Sequence, residues 1–309
     1  MTPLFKTRML ADLTVLRRLL VSPIQGGTHA ERLESFYAPQ AEYYDEFRER
    51  LLHGRRPLMQ QLEFPKNGVW VDIGAGTGVN LRLAGNRIFG LKEVHLVDLS
   101  NSLLTVARRS AENLRLGHVH FHLQDACDFD LGDESVDLVT FSYSLTMIPD
   151  WFDALLNAKR LLKPGGVIAV TDFYVSRKYP DNGLCKHGWL KRTFWQSWFA
   201  ADNVFLTGDH LAMLQRHFSP TSILECQGKV PFLPLMKVPF FVFLGAKETT
   251  ERQSHVGDDH KLTSPTPIPT LLLNKTAEPS RERESLGVEC PKPDRTFLLY
   301  RKTASVLWK

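Results

Sequence analysis

The stretch Val71-Asp72-Ile73-Gly74-Ala75-Gly76-Thr77-Gly78 places three glycines at alternate positions, after an apolar run and before a helical pattern. Glycines so placed form a tight turn and let a ligand lie against the backbone. Asp98 follows 24 residues after Gly74, at the end of a second apolar run. A carboxylate there can accept both hydroxyls of a ribose, with Leu99 against the face of a base. Gln124-Asp125-Ala126 ends a third run: Asp125 can accept from an exocyclic amino group, while a backbone N–H meets a ring nitrogen. After a fourth run come Ser142, Tyr143 and Ser144, with Met147 and Ile148 as walls. This is chemistry of positioning, aimed at a nucleoside-bearing reagent and at whatever reacts with it.

These residues need a frame that brings strand ends together. Runs at 69–73, 93–99, 118–123, 136–141 and 167–173 read as strands, with helical stretches at 79–88, 101–114 and 151–162 between them. The last of these strands is entered through Lys163-Pro164-Gly165-Gly166, read as a turn. Alternation of this kind predicts a Rossmann-like, doubly wound, mostly parallel seven-stranded α/β sheet. Two helices are expected past residue 187, and runs at 222–227 and 238–244 close the sheet as a hairpin-like pair. Residues 1–66 read as an N-terminal helical cap, interrupted at Pro39, with Gly54 capping a helix end. Residues 67–247 form the main domain. The segment 248–309, rich in Pro, Ser, Thr and charge, is expected to be disordered.

Composition narrows the class. The 309 residues are 43% hydrophobic and 23% charged, with a net charge of +4, too small an excess to argue nucleic-acid binding. Cys127, Cys185, Cys226 and Cys290 are scattered without metal-ligand spacing, so reduced thiols, a cytoplasmic setting and no bound metal are expected. No apolar stretch is long enough for a transmembrane helix. Leu10, Leu13, Leu16 and Leu20 repeat at helical spacing among basic residues. That pattern suits a helix packed on the domain, a membrane-surface helix or a presequence.

Two details choose the reagent. A dinucleotide fingerprint requires glycine at the sixth loop position, where this chain has Val79. Asp72, two residues before the first glycine, suits a ligand bearing an amino group and a sulfonium. S-adenosyl-L-methionine has both and lacks a pyrophosphate. The expected cofactor contacts are Asp72, Gly74, Ala75, Gly76, Gly78, Asp98, Leu99, Asp125, Ala126 and Ser142, with Tyr44 and Arg48 from the cap.

In order and spacing, VDIGAGTG, VDLS, QDA, SVDLVTFSYSLTMI and LLKPGG resemble the class I methyltransferases across residues 68–173. The segments HAERLESFYAPQAEYYDEFRERLLHGR, FSYSLTMIPDW, VTDFYVS and VPFLPLMKVPFFVFLGAK resemble the methyltransferase half of betaine-lipid synthases across residues 28–247. The resemblance implies trimethylation of the amino group of diacylglyceryl homoserine, peripheral membrane contact, and a separate aminocarboxypropyl transferase as partner. A small amine, a ring compound, a sterol-like lipid or a non-catalytic cofactor-binding role remain as alternatives.

Methyl transfer to an amine needs the neutral amine in line with the methyl group. Tyr143, Ser142 and Tyr44 are the catalytic candidates. Tyr37, Tyr43, Tyr44, Tyr143 and Tyr174 are candidates for an aromatic cage around the growing cation. Arg48 can bind a carboxylate of substrate or cofactor, or be a solvated helix charge, and Asp172 stands near the substrate end of its strand. His187, His210 and His217 lack a partner pattern. The aromatic and basic stretch 187–199 suits either a lipid interface or a buried lid.

Overall fold

A computed structural model of the chain describes residues 26–39, 48–201, 203–231 and 233–249. The N-terminal leucine pattern, Tyr43 and Tyr44, and the tail beyond 249 lie outside the described residues. The elements run α1 (His29–Tyr37), α2 (Arg55–Gln61), β1 (Val69–Ile73), α3 (Val79–Ala84), β2 (Glu93–Asp98), α4 (Asn101–Asn113), β3 (Val119–Leu123) and β4 (Val136–Ser142). They continue with α5 (Trp151–Leu161), β5 (Leu162–Phe173), α6 (Trp189–Ala200), α7 (Asp209–His217), β6 (Ser219–Val230) and β7 (Leu233–Ala246).

The seven strands lie in the order β3-β2-β1-β4-β5-β7-β6. The first five are mutually parallel, and β7 is antiparallel to both β5 and β6. Each central strand is apolar on both sides, which a sheet covered on both faces requires. Side chains alternate between two cores. Trp70, Leu138, Ala169 and Phe240 meet α2, α3, α4 and α6, whereas Val71, Val139, Ile168 and Phe241 meet α5 and α7. The strand order reverses between β1 and β4. Connections leave in opposite directions there, so a cleft opens at the carboxyl ends.

Three local expectations are corrected. The Lys163–Gly166 stretch is a bulge inside β5, not a turn before it. Five residues of advance from Leu162 to Val167 face two from Val136 to Leu138. The bulge is pinned to the end of β7, Gly165 N–H donating to Lys247 O and Lys247 N–H to Gly166 O, both at 2.9 Å. The helix expected over 79–88 ends at Ala84, because Gly85 turns left-handed (φ 58°) and a 3-10 segment, Gly85–Gly90, follows. Gly54 begins α2 as its N-cap and does not close the helix before it. A side chain at Gly54 would run into Thr171 Oγ1 and Tyr143 Oη, so only hydrogen fits.

Candidate active site

The cleft at the switch point encloses about 700 Å³, part of it open to solvent. One wall is the loop after β1. Gly74 carries φ 67°, and a Cβ there would strike the Cβ of Ser144 on the neighbouring loop. That close approach is fastened by Ser144 Oγ donating to Ile73 O at 2.8 Å. Gly76 carries φ 57° with nothing nearer than 4.0 Å to an added Cβ, so its exposed backbone faces open space. Its N–H donates to Asp98 Oδ2 at 2.8 Å, and Ser100 N–H donates to Oδ1 at 2.8 Å. Burial pushes the Asp98 carboxyl up from its ordinary range, and the two N–H donors offset part of that. The carboxylate is thereby held rigid, with lone pairs left for ribose hydroxyls.

Leu99, Asp125 and Ala126 continue this wall. Asp125 Oδ1 accepts from Cys127 N–H at 2.9 Å, and Ala126 O accepts from Asn157 Nδ2 at 2.9 Å, which sets the loop shape. Helix α1 forms a cover. Its start is a capping box, Thr28 Oγ1 accepting from Glu31 N–H while Glu31 accepts in return from Thr28 N–H. Glu34 latches α1 to the start of α4, accepting from Ser100 Oγ at 2.7 Å and from the Ser102 hydroxyl. His29, Leu33 and Tyr37 thus line the cleft. Burial lowers the His29 pKa from its ordinary value, so the ring stays neutral near pH 7.

The opposite wall is built from residues far apart in sequence. Tyr143 has a left-handed backbone (φ 58°) at the end of β4. Its hydroxyl accepts from Gly54 N–H at 2.9 Å, and its ring packs on Phe173 with centroids 4.7 Å apart. Burial drives the Tyr143 phenol far above its ordinary range, so it does not ionise near neutrality. The ring lines the cleft. The hydroxyl is committed to clamping the cap, a correction to its expected catalytic role. Ser142 is buried, lines the cleft, and its Oγ has no hydrogen-bond partner among the described residues. Arg55, the first residue of α2, also lines the cleft, and its Nε and Nη1 are buried without partners among the described residues.

Other expected residues stand elsewhere. Asp72 is fully buried beneath the glycine loop, accepting from Thr140 Oγ1 at 2.5 Å and from Asn80 Nδ2 at 3.0 Å. Burial pushes its carboxyl up to about 6 despite these donors. It buttresses the start of α3 and does not reach the cleft wall. Ala75, Gly78 and Arg48 are also absent from the lining. Gly78 instead packs where an added Cβ would meet Ala107 Cβ at 3.1 Å. Asp172 is buried, accepting from Thr146 Oγ1 at 2.8 Å and Phe173 N–H at 2.7 Å. Tyr174 donates to Glu225 at 2.6 Å, away from the cleft, and so leaves the aromatic cage. Of the expected tyrosines, Tyr37 and Tyr143 line the cleft.

Two cleft residues, Arg55 and His29, escape a reading of motifs. The signal for His29 was the T-x-x-E capping box at Thr28–Glu31. Arg55 carries no such signal, since adjacent arginines ahead of a proline are ordinary at a helix start.

The cleft fits a nucleoside-bearing cofactor. The open space at Gly76, the rigid Asp98 carboxylate and the partnerless Ser142 hydroxyl are donors, acceptors and room awaiting a ligand. Sheet order, loop and cleft define the Rossmann-like fold of the class I S-adenosylmethionine-dependent methyltransferases. Residues 71–170 match the family model described as a methyltransferase domain. Among curated proteins, the ubiquinone/menaquinone biosynthesis C-methyltransferase UbiE of Vibrio vulnificus is 36% identical over 105 residues, 33% of this chain and 40% of that protein. UbiE of Pseudomonas savastanoi pv. phaseolicola is 31% identical over 150 residues, 47% of this chain and 59% of that protein. The chain therefore spans 40% and 59% of the length of these relatives. Among solved structures, Haemonchus contortus phosphoethanolamine N-methyltransferase 2 superposes with a TM-score of 0.55 at 17% identity, covering 73% of this chain and 61% of that one. YcgJ from Bacillus subtilis gives 0.51 at 16% identity, covering 64% and 99%. At such identity these likenesses establish the fold.

Proposed function

We propose that the protein is an S-adenosylmethionine-dependent N-methyltransferase acting on an amino-acid lipid headgroup, that of diacylglyceryl homoserine. The observation that carries the acceptor is Arg55, two of whose guanidinium nitrogens are buried without partners among the described residues, on the cleft wall beside Tyr143. A buried guanidinium in this state calls for an anion, and its planar fork matches a carboxylate. A homoserine headgroup supplies a carboxylate next to the amine to be methylated. The aromatic faces of Tyr37 and Tyr143 stabilise the cation that forms, each by roughly 0.5–2 kcal/mol.

In this reading Asp98 holds the ribose hydroxyls, Leu99, Asp125 and Ala126 hold the adenine, and the Gly74–Gly76 backbone cradles the amino-acid end. The bound cofactor supplies an electrophilic methyl group. Arg55 orients the acceptor through its carboxylate, so the amine lone pair points down the cleft. Ser142 Oγ, otherwise unsatisfied, accepts a hydrogen bond from the amine. The amine proton leaves to solvent through the open mouth, because Tyr143 and Asp172 are both committed to internal hydrogen bonds.

The test is incubation of the purified chain with methyl-labelled S-adenosylmethionine and a lipid extract containing diacylglyceryl homoserine, read by mass, with Asp98→Ala as control. Stepwise gains of one, two and three methyl groups, lost in Asp98→Ala, are expected. Cofactor binding with no lipid gaining mass overturns the headgroup assignment. The UbiE relatives support a second reading, methylation of a ring carbon, and a methylated quinol ring in a parallel assay would establish it.

A further inference from the structure

The exposed side of α6 carries a row of large apolar residues beside the polar Thr193, Gln196 and Ser197. Leu190, Phe194 and Trp198 recur every fourth residue, which stacks them in one row, and all three are exposed. Trp189 beside them is 71% exposed. The helix already buries a separate pair, Trp195 and Phe199, against the sheet. Phe194 still touches Trp195 and Trp198 by its ring, but Trp189 and Leu190 stand largely in solvent, at 71% and 66% exposed. Large apolar side chains standing in solvent in a row are what a helix facing only water would not keep.

Cations outnumber carboxylates around this row, which Asp181 and Asp202 bracket in the sequence. From residue 182 to 201 the chain has no Asp or Glu, and it carries Lys186, Lys191 and Arg192. Just upstream, Tyr179 is 75% exposed with Lys178 and Lys186 ammonium groups 5.4 and 5.7 Å from its ring centre. Exposed aromatics interleaved with cations are the signature of a surface that lies at the headgroup level of an anionic bilayer. No described helix is long and apolar enough to cross a membrane, so contact here means lying on it.

The buried side of α6 connects to the cleft wall. Phe199, on the buried side of α6, packs on Phe173 at 4.7 Å, and Phe173 packs on Tyr143 at 4.7 Å. The loop after α6 is tied to the loop after β4 by Phe205 N–H donating to Thr146 O at 2.9 Å, next to Met147 of the lining. We infer that the exposed row of α6 is a docking surface for an anionic lipid bilayer, inserting Trp189, Leu190, Phe194 and Trp198 between headgroups. The inference extends the headgroup reading of the acceptor, since a diacyl lipid could then reach the cleft without leaving the bilayer. Docking is measured without methyl transfer, however, so the two fail separately.

The experiment is co-sedimentation of the 309-residue chain with vesicles of phosphatidylcholine alone and of phosphatidylcholine mixed with phosphatidylserine, in the absence of cofactor. Binding to the mixed vesicles, with a blue shift of tryptophan emission, is expected. The combined Trp189→Ser, Phe194→Ser and Trp198→Ser variant should lose at least about tenfold in partitioning. Lys178→Glu with Lys186→Glu should lose about tenfold on mixed vesicles and little on neutral ones. The lysine variant keeps the test alive if the serine variant does not fold. Absence of vesicle binding, or equal binding by both variants, overturns the proposal. So does a wild-type dimer that the serine variant abolishes, which would assign the face to a second copy of the chain.

Discussion

The two walls of the cleft are built differently. The wall formed by the loops after β1, β2 and β3 consists of short motifs, each complete within a few residues: Gly74 to Gly76, Asp98 with Leu99, Asp125 with Ala126. Their contacts run largely through backbone N–H groups, as at Asp98. The opposite wall is assembled across the chain. Gly54 and Tyr143 are 89 residues apart, and their hydrogen bond sets where Arg55 begins its helix. A wall for an invariant cofactor can be local and rigid. A wall assembled from distant elements can vary with the acceptor while the fold stays the same.

The sharpest way to break this contrast is at Arg55. Arg55→Gln should raise the KM of the carboxylate-bearing acceptor roughly 30- to 100-fold, the loss of about 2–3 kcal/mol from a charged hydrogen bond. Affinity for S-adenosylhomocysteine, by titration calorimetry, should change less than about threefold, and Arg55→Lys should recover part of the loss. If the calorimetric affinity falls instead, Arg55 binds the carboxylate of the cofactor and the two walls share one function.

Tyr143→Phe probes the clamp. Removing the hydroxyl leaves Gly54 N–H without its partner, so urea unfolding should show a loss of about 1–2 kcal/mol. Turnover should stay within about fivefold of the wild type. A collapse of turnover with unchanged stability would make the phenol a catalytic group.

The remaining test concerns Asp172, which holds the loop after β4 through Thr146. Burial raises its carboxyl from 3.8 to about 7. A raised carboxyl pKa means that the folded state favours the protonated form. Its contribution to stability is complete below pH 3.8 and is lost as pH rises through about 7. Asn cannot ionise, so the stability of the wild type minus that of Asp172→Asn should fall between pH 4 and 8. Urea midpoints across that range measure it, and a constant difference would show that Asp172 stays ionised in the fold.

Much of the frame was legible before any coordinates. The five parallel strands sit within a few residues of the expected runs, because a strand buried on both faces must be apolar throughout. The bulge at Lys163–Gly166 was not legible, since a Pro-Gly-Gly stretch signals a turn locally and the backbone bonds to Lys247, just past β7, hold it in the sheet. Asp72 misled for a related reason. An acidic residue before the glycines looks available to a ligand, and only the packing of Asn80 and Thr140 against it shows that its carboxylate is already occupied.

The amino-acid sequence by itself determined the order of strands and helices, the glycine loop, and the carboxylate and loop positions that line the cleft. These depend on backbone periodicity and on spacings of a few residues, which are written locally. The tertiary structure alone decided which side chains are spent on the scaffold and which remain free for a ligand. Asp72 and the Tyr143 hydroxyl went to the first group, Ser142 and Arg55 to the second. That division depends on hydrogen-bond partners supplied from tens of residues away, and distance along the chain does not encode it.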